Sequence, residues 1–485
     1  SPVMKGVIWV GTDDGNVQLT TDGGSSWTNC SPRIKELPAG AWVPQIIPSA
    51  KNGGEAFVVV NNYRLNDYSP YLFHTEDFGR KWTRVIDGTD VPGFVLSFVQ
   101  DPQEGSLRFL GTEYGLYVTI DGGEKWTRWT NGIPTVPVMD LVIHPRENDL
   151  VIGTFGRSAF IIDDIRPLRA MAAEYGDVTG SRLYVVEPPE AYLAETRNAP
   201  GYYFTGDAYY EGDNRSSGAR ISCFVKVDKD EDKGKKDSVT IQILDQEMHL
   251  LRTMKSVPEN GLNRFVWKLD KKGVRLNFSA AAGGSAGGRG RQGGSGSGEP
   301  GGGGLVLPGQ YQVRITFKGD TAITGIRVAA DPRTPYDLQG MKAKEEKTDQ
   351  LLEKMKELNA GMSRIRDCKE RYELVNKLSG KEQSDALKEA SETVKKQLDR
   401  LSGKLFLDET VQGIYEPSDA LSVGLSGTWP ITMSNKPLTD NQLQKLSSYL
   451  RVADAAIEEI DVFLEKNWAV FRKVVESEKI SLFSE

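Results

Sequence analysis

The sequence predicts a mainly β protein with an α-helical tail, and three observations lead to this prediction. Within residues 1–170, β-rich segments recur about every 40–50 residues. Strand-like alternation of apolar and polar residues continues over residues 182–332. From residue 335 to 480, apolar residues recur instead at the 4-3 spacing of helices. These three regions are the predicted domains.

Composition excludes some classes of protein. The chain has 485 residues, with 60 Lys and Arg against 67 Asp and Glu, and its net charge of −7 argues against a nucleic-acid-binding protein. No apolar run approaches the ~18 residues of a membrane-spanning helix. The cysteines (Cys30, Cys223 and Cys368) lie far apart, so they indicate neither a disulfide framework nor a CxxC-type metal site.

The first region is built on a repeat. Its β-rich runs are VIWVGT, AFVVV, LRFLGT and LVIGTF, which start at Val7, Ala56, Leu107 and Leu150. Each is followed by a second strand-like run and, in the first three copies, by a similar turn. A period of about 40–50 residues is that of four-stranded β-propeller blades. The sequence therefore predicts part of a propeller.

The turns share one frame: Thr, any residue, Asp, any residue, Gly, two further residues and Trp. They occupy residues 20–27, 75–82 and 119–126, and a degenerate copy near residue 163 lacks the Trp. This frame resembles the Asp-box, or BNR repeat, of sialidase-like and sortilin-like (VPS10) propellers. The resemblance implies a structural role, with Asp capping backbone amides, Gly supplying a permissive φ and Trp packing between strands, and it disfavours a catalytic one. The residues are Asp22, Gly24 and Trp27; Asp77, Gly79 and Trp82; Asp121, Gly123 and Trp126.

A strand that ends near a proline precedes each of the last three copies, at Pro48, Pro102 and Pro145. The matching proline of the first copy is Pro2, and the strand before it is absent from the sequence. We therefore expect that the chain starts inside a blade and that an N-terminal propeller portion comes from the same gene product or from a partner chain. An open propeller end would expose a strand edge and an apolar face.

Blade geometry places the Asp-boxes on one face and the turns between second and third strands on the other. Ligands of propellers commonly meet that second face, which makes the residues of these turns candidates for a ligand site. The alternative is that acidic, Gly-rich turns are simply good β-turns. His144 is interpreted as completing a strand end, and His74 and His249 have no partner pattern. The candidates are Asp13, Asp14, Glu113, Tyr114 and Arg157.

The resemblance extends beyond the repeats. Residues 153–169, GTFGRSAFIIDDIRPLR, look like the closing blade of large secreted or surface bacterial proteins of the glycosyl hydrolase-like or sortilin-like type. In those proteins a β-sandwich and a helical tail follow the propeller. Here the predicted sandwich is immunoglobulin-like or fibronectin-like, with a flexible Gly-rich loop at residues 281–304. A tyrosine cluster could stack on sugar rings or pack in the fold: Tyr202, Tyr203, Tyr209 and Tyr210.

The tail predicts an antiparallel three-helix bundle. Its apolar seams run over residues 351–372, 387–405 and 443–464. Thr439 and Gln442 have the spacing of a capping box at the start of the third helix.

Two classes of function remain open. The first is a binding or scaffold protein for protein or glycan partners, secreted, periplasmic or on the outer cell surface. The second is a glycoside hydrolase, sialidase-like or endo-glucanase-like. It needs two carboxylates, about 5–5.5 Å apart for retention or about 6.5–9.5 Å apart for inversion, or, if sialidase-like, an arginine cluster and a tyrosine nucleophile. No catalytic pair can be assigned, and Arg157 stands alone on its face. The sequence implies no cofactor and no metal, and it favours the binding function.

Overall fold

The computed structural model describes residues 1–194, 215–227, 237–274, 276–277, 303–379, 384–406, 421, 425 and 428–478. These residues form two compact units. The first comprises Ser1–Val186 with Cys223–Lys226, and the second comprises the rest. The prediction of β-sheets followed by a C-terminal helical region is confirmed. The tyrosine cluster at residues 202–210 and the Gly-rich loop up to residue 302 lie outside the described residues.

The first unit contains four antiparallel sheets, each formed by strands that are consecutive in the chain. We number them sheets 1 to 4. Sheet 1 has strands β1 (Ile8–Gly11), β2 (Val17–Thr20) and β3 (Thr28–Asn29); sheet 2 has β4 (Trp42–Pro48), β5 (Ala56–Asn62), β6 (Asp67–Thr75) and β7 (Thr83–Arg84). Sheet 3 has β8 (Val95–Gln100), β9 (Arg108–Thr112), β10 (Gly115–Thr119) and β11 (Thr127–Trp129); sheet 4 has β12 (Val138–Ile143), β13 (Leu150–Thr154) and β14 (Ala159–Ile162).

The predicted proline-terminated strands are β4, β8 and β12, and each is the first strand of its sheet. Sheet 1 has no strand of this kind, because its first strand, β1, is the counterpart of β5, β9 and β13. The residues of β1 that alternate with buried Trp9, namely Ile8 and Val10, are exposed.

Apolar side chains fill the space between consecutive sheets. One buried cluster joins sheets 1 and 2, a second joins sheets 2 and 3, and a third joins sheets 3 and 4. Sheets 2 and 3 therefore have apolar clusters on both faces, which explains why β5 begins with the continuous apolar run AFVVV rather than an alternating pattern. Representative members are Trp9 and Phe73 in the first cluster, Phe57 and Leu110 in the second, and Phe109 and Leu141 in the third.

Residues near the ends of β1, β5 and β9 determine how closely the next sheet approaches. A Cβ on Gly11 would lie 2.5 Å from Val43 Cγ1 of sheet 2, and a Cβ on Gly111 would lie 2.5 Å from the Val138 carbonyl oxygen of sheet 4. In sheet 2 the same position holds Asn61, whose Nδ2 donates to the Val95 carbonyl of sheet 3 at 3.4 Å. The recurring Gly or Asn at these strand ends is thus a packing requirement between sheets.

The three Asp-containing turns share one hydrogen-bond scheme. In sheet 2, the Thr75 hydroxyl donates to Asp77 Oδ1 at 3.1 Å and accepts from the Gly79 amide at 3.1 Å. The Lys81 amide donates to the same carboxylate oxygen at 2.8 Å. The turn beginning at Thr20 repeats these contacts through Asp22, Gly24 and Ser26, and the turn beginning at Thr119 repeats them through Asp121, Gly123 and Lys125.

The tryptophans of these turns differ in burial. Trp82 packs edge-on against Trp9 of the preceding sheet, with ring centroids 6.0 Å apart. Trp126 is buried in the cluster between sheets 2 and 3. Trp27, in sheet 1, is 47% exposed, so the prediction that the ring packs between strands does not describe it. Each of the two covered rings contacts the preceding sheet, and the described residues contain no sheet before sheet 1.

Because of the carboxylates in the Asp-containing turns, we expect the protein to lose stability in acid. The hydrogen bond from the Lys81 amide lowers the pKa of Asp77, and bonds from Ser26 lower that of Asp22. A depressed folded-state pKa contributes stability above the ordinary carboxyl pKa of about 3.9, and this contribution is lost as pH falls below it. We expect the melting temperature of the Asp77→Asn variant to fall less between pH 5 and about pH 3 than that of the parent.

Calorimetry across this range checks the expectation, with Asp13→Asn, an exposed carboxylate outside these turns, as the control. Equal acid sensitivity of the parent and Asp77→Asn proteins would contradict the role assigned to Asp77.

Two short helices follow sheet 4, α1 (Arg166–Ala173) and α2 (Tyr175–Gly180). Arg169 of α1 anchors them. Its guanidinium donates to Asp101 Oδ2 at 2.8 Å, to Asn148 Oδ1 at 2.6 Å and to Gln103 Oε1 at 3.1 Å. The Asp101 carboxylate is fully buried and Arg169 is 10% exposed. Strand β15 (Leu183–Val185) then pairs with residues 223–225.

The next strands along the chain are β16 (Ala191–Leu193), β17 (Ala219–Val225, divided between the units at Ser222), β18 (Val239–Leu244), β19 (Leu250–Ser256), β20 (Gly261–Trp267), β21 (Gly309–Phe317) and β22 (Asp320–Ala330). The second unit contains a five-stranded sheet in the order β16-β22-β21-β18-β19. The pair β16 and β22 is parallel, and the other three pairs are antiparallel.

The helical region surrounds one apolar cluster to which the three predicted seams contribute. The predicted capping box is present: the Thr439 hydroxyl accepts from the Gln442 amide, and the Gln442 side chain accepts from the Thr439 amide. No helix within the described residues is long and apolar enough to cross a membrane. The helices are α3 (Leu338–Ser379), α4 (Asp385–Leu405), α5 (Thr428–Thr432), α6 (Asp440–Val462) and α7 (Ala469–Ser477), with a π-helical segment at Phe463–Trp468.

Candidate ligand-binding face

One end of the four sheets is formed by the turns between β1 and β2, β5 and β6, β9 and β10, and β13 and β14. We call this end the loop face. Contacts between the adjoining strand ends show that these turns lie at the same end. The Val43 amide of sheet 2 donates to the Thr12 carbonyl of sheet 1 at 3.0 Å, and the Asn61–Val95 and Gly111–Val138 contacts join the remaining sheets.

An aromatic group lies on the loop face over sheets 2 and 3. Tyr63 begins the short 3-10 turn between β5 and β6, and its ring stacks on Phe94, with centroids 4.9 Å apart and 24° between the planes. The Tyr68 ring is tilted against Phe94, with centroids 6.2 Å apart, and 53% of the Tyr68 surface is exposed. The group therefore presents an accessible aromatic surface held by ring packing.

A cation–π contact extends this surface. The Arg64 guanidinium lies 4.6 Å from the centre of the Trp42 ring and 5.9 Å from that of Tyr63. Such a contact orients an exposed guanidinium at a cost lower than that of ordering a free side chain. Arg64 thus offers fixed N–H donors beside the rings.

Glu113 and Tyr114 border the aromatic group on sheet 3. A Cβ on Gly93 would lie 2.8 Å from Glu113 Oε1 and from the Tyr114 ring, so the absence of a side chain there allows both to sit next to Phe94. The Glu113 amide donates to the Phe94 carbonyl at 3.3 Å. Arg128 fixes the turn by donating to the Tyr114 carbonyl at 2.8 Å.

The remaining sequence-predicted candidates occupy other parts of the face. Asp14 accepts from the Thr12 hydroxyl and, at 2.9 Å, from Asn16 Nδ2. These two bonds lower the pKa of Asp14, so its carboxylate serves the turn. Asp13 and Arg157 are exposed, on sheets 1 and 4. The contacts of the described residues link neither of them to the aromatic group.

Sequence reasoning missed five members of this face: Trp42, Tyr63, Arg64, Tyr68 and Phe94. A signal for three of them was present, because the β5–β6 connection, NNYRLNDY at residues 61–68, is longer and more aromatic than the corresponding turns. Trp42 is the first residue of β4, and Phe94 directly precedes β8. The residues that surround each of them depend on how adjacent sheets align. That alignment is a tertiary property which the spacing of the repeats does not contain.

We compared the chain with known proteins. No family model matches the sequence, and no curated protein matches it. Among solved structures, YCF48 bound to D1 peptide is similar over 56% of this chain and 73% of its own, with 14% identity and a TM-score of 0.25. An ancestral GH74 enzyme is similar over 56% of this chain and 32% of its own, with 14% identity and a TM-score of 0.28.

The GH74 enzyme of Niastella koreensis is similar over 67% of this chain and 52% of its own, with 13% identity and a TM-score of 0.28. The chain thus spans about a third to a half of the length of these two GH74 enzymes.

Proposed function

We propose that this chain is a binding module of a secreted or cell-surface β-propeller protein and that the loop face of sheets 2 and 3 takes the partner. The observation that carries the proposal is the aromatic group, with Arg64 and Glu113 at its border. Exposed rings that are fixed by packing bind a partner with little loss of side-chain entropy.

We extend the proposal to the fold. We take the four sheets as blades of the Asp-box, or BNR, type because they are consecutive meanders that stack face to face, and because the first three share one turn geometry. The five-stranded sheet of the second unit is proposed to be the immunoglobulin-like or fibronectin-like module. The three long helices, α3, α4 and α6, are proposed to form the antiparallel bundle.

Further blades complete the propeller in this proposal, from the same gene product or from a partner chain. Support comes from the uncovered surfaces of the outer sheets. On sheet 1, Trp27 is exposed where its counterparts are covered by a preceding sheet. On sheet 4, a Cβ on Gly153 would meet only its own sheet, at 3.6 Å from Asp140, whereas Gly11 and Gly111 touch the next sheet.

An oligosaccharide is the partner that this surface favours. Aromatic rings present an apolar face that suits the C–H surface of a sugar ring, while Arg64 and Glu113 supply a donor and acceptors for hydroxyl groups. Exposed hydrophobic residues such as Leu65, next to Arg64, also suit a protein partner. A protein partner is therefore the competing outcome of the test.

Binding is tested by affinity electrophoresis of the full chain through gels that contain single neutral or acidic polysaccharides. We expect at least one polysaccharide to retard the chain and Tyr68→Ala to weaken this binding about tenfold, the effect of one aromatic contact of about 1.4 kcal/mol. Tyr175→Ala is the matched control, because Tyr175 is a similarly exposed tyrosine of the same unit on α2. Retardation unaffected by Tyr68→Ala would place the site elsewhere, and no retardation by any polysaccharide would exclude the glycan partner.

The glycoside hydrolase alternative makes a different prediction for the same polysaccharides. A hydrolase would release reducing ends, and Glu113→Gln would abolish that release while leaving retardation in the gel. A binding module would release none before or after the substitution. Because further blades would complete any cleft, the assay belongs on the complete propeller as well as on this chain.

A further inference from the structure

We infer that Glu55, His74 and Glu76 form a zinc-binding site at the end of sheet 2 opposite the loop face. The ligand atoms of the three side chains, one imidazole nitrogen and two carboxylate oxygens, all lie within 4.8 Å of one another. His74 Nε2 and Glu55 Oε1 are already 3.0 Å apart. This site is independent of the proposed glycan surface.

The backbone brings the three residues together. Glu55 precedes β5, His74 lies on β6 opposite Phe57, and Glu76 is the second residue of the Asp-containing turn. The Phe78 amide donates to the Gly54 carbonyl at 2.9 Å, which ties this turn to the β4–β5 connection. Two separate chain segments are therefore fixed against each other before any metal binds.

The imidazole is held in one orientation. The His74 ring stacks on Phe57, with centroids 4.3 Å apart and an interplanar angle of 13°. The His74 side chain is 14% exposed and the Glu55 side chain is 15% exposed, so the pair is shielded from solvent. Glu76 is exposed. Fixed rings and partial shielding are features that raise the affinity of a histidine–carboxylate site for metal.

The charges nearby permit a dication. Arg108 is the neighbouring cation, and its guanidinium donates to the carbonyls of Gly105 at 3.1 Å and Gly122 at 2.5 Å. In the described structure, neither Glu55 nor Glu76 forms an ion pair with Arg108. The guanidinium nevertheless interacts electrostatically with both carboxylates and lies 4.9 Å from the centre of the Phe57 ring. A divalent ion would therefore share the two negative charges with Arg108.

Ligand chemistry and spacing indicate zinc. Zinc accepts imidazole nitrogen and carboxylate oxygen together, whereas calcium and magnesium prefer oxygen alone. Bonds of about 2.0–2.2 Å in a tetrahedral site separate ligand atoms by about 3.3–3.5 Å. The exposed Glu76 side chain can close this distance by rotation. Three protein ligands leave a fourth position for water.

The test uses the full chain with His249→Ala, because Asp245, Glu247 and His249 form a second group of potential ligands. Titration with Zn²⁺ by calorimetry is expected to show one site per chain, and Co²⁺ is expected to give the visible absorption of a tetrahedral complex. Glu76→Gln changes an exposed residue and should preserve the fold while weakening the affinity about tenfold or more. His74→Ala should abolish the cobalt absorption.

Glu124→Gln, an exposed carboxylate in the corresponding turn of sheet 3, is the matched control and should leave the affinity unchanged. Absence of Zn²⁺ binding with the metal in large excess would overturn the assignment. So would binding that is equal in the parent, Glu76→Gln and Glu124→Gln chains. Loss of folding in His74→Ala does not affect this decision, because Glu76→Gln decides it.

Discussion

Arg169→Ala is expected to destabilise the first unit by about 3–5 kcal/mol, the range for removing one partner of a buried ion pair. The substitution leaves the Asp101 carboxylate buried without its counter-charge. Two bonds to Asp101 Oδ1 remain, from the amides of Gln103 and Glu104, each at 2.8 Å. They satisfy one oxygen but do not neutralise the charge.

Hydrogen exchange of the amides in β8–β14 measures this effect within the first unit, since two compact units need not unfold together. Arg146→Ala is the matched control, because its pair with Glu147 is 80% exposed on the arginine side and such pairs contribute about 0–1 kcal/mol. In the Arg169→Ala background, Asp101→Asn should restore part of the loss by removing the unpaired charge. A cost for Arg169→Ala as small as that for Arg146→Ala would refute the account of this ion pair.

Gly111→Ala is expected to cost about 2–3 kcal/mol through overpacking. Its Cβ would lie 2.2 Å from Ser97 Oγ and 2.5 Å from the Val138 carbonyl oxygen. The first contact can relax through the serine side chain, but the second is with backbone of the adjacent sheet. Sheets 3 and 4 would have to separate, or β9 would have to shift within its sheet.

Gly153→Ala is the control at the equivalent position of sheet 4, where the nearest atom would be 3.6 Å away. We expect a change below about 0.5 kcal/mol, as for a substitution that meets no clash. Urea unfolding followed by the exchange of amides in β9 and β12 compares the two variants. Equal costs at Gly111 and Gly153 would show that these glycines serve strand conformation rather than the approach of the next sheet.

Much of the first unit could be predicted from the sequence because local chemistry sets its elements. The turn that begins with Thr-x-Asp-x-Gly needs no distant partner, because its hydroxyl, its carboxylate and the amides that they bind all lie within seven residues of the chain. The Gly or Asn near the ends of β1, β5 and β9 has a reason that the structure shows, namely the close contact with the next sheet. The capping box at Thr439 was likewise readable, because its two partners are three residues apart.

The exposure of Trp27 could not be predicted in the same way. Its turn is identical in frame to those of Trp82 and Trp126, and what differs is the sheet on which the ring packs. Contacts between sheets join residues far apart in the chain, such as Trp9 and Trp82, and a repeat pattern does not specify them.

In the candidate sites, too, local features could be predicted from the sequence, whereas contacts between distant segments could not. Glu113 and Tyr114 are candidates from the sequence because their turn occupies a defined place in the repeat. The stack of Tyr63 on Phe94 and the Arg64–Trp42 contact arise where segments about 20–30 residues apart meet. His74 and Glu55 meet across adjacent strands, through a register that the sequence does not state.

The loop face of sheets 2 and 3 is the surface that we propose binds a partner. The most direct measurement is hydrogen exchange of the full chain with and without the polysaccharide that retards it most strongly. We expect slower exchange at residues 62–68 and 93–95 and around Tyr114, with no change in the Asp-containing turns at the opposite end. Protection confined to those turns or to the second unit, with unchanged exchange around Tyr63 and Phe94, would contradict the proposal.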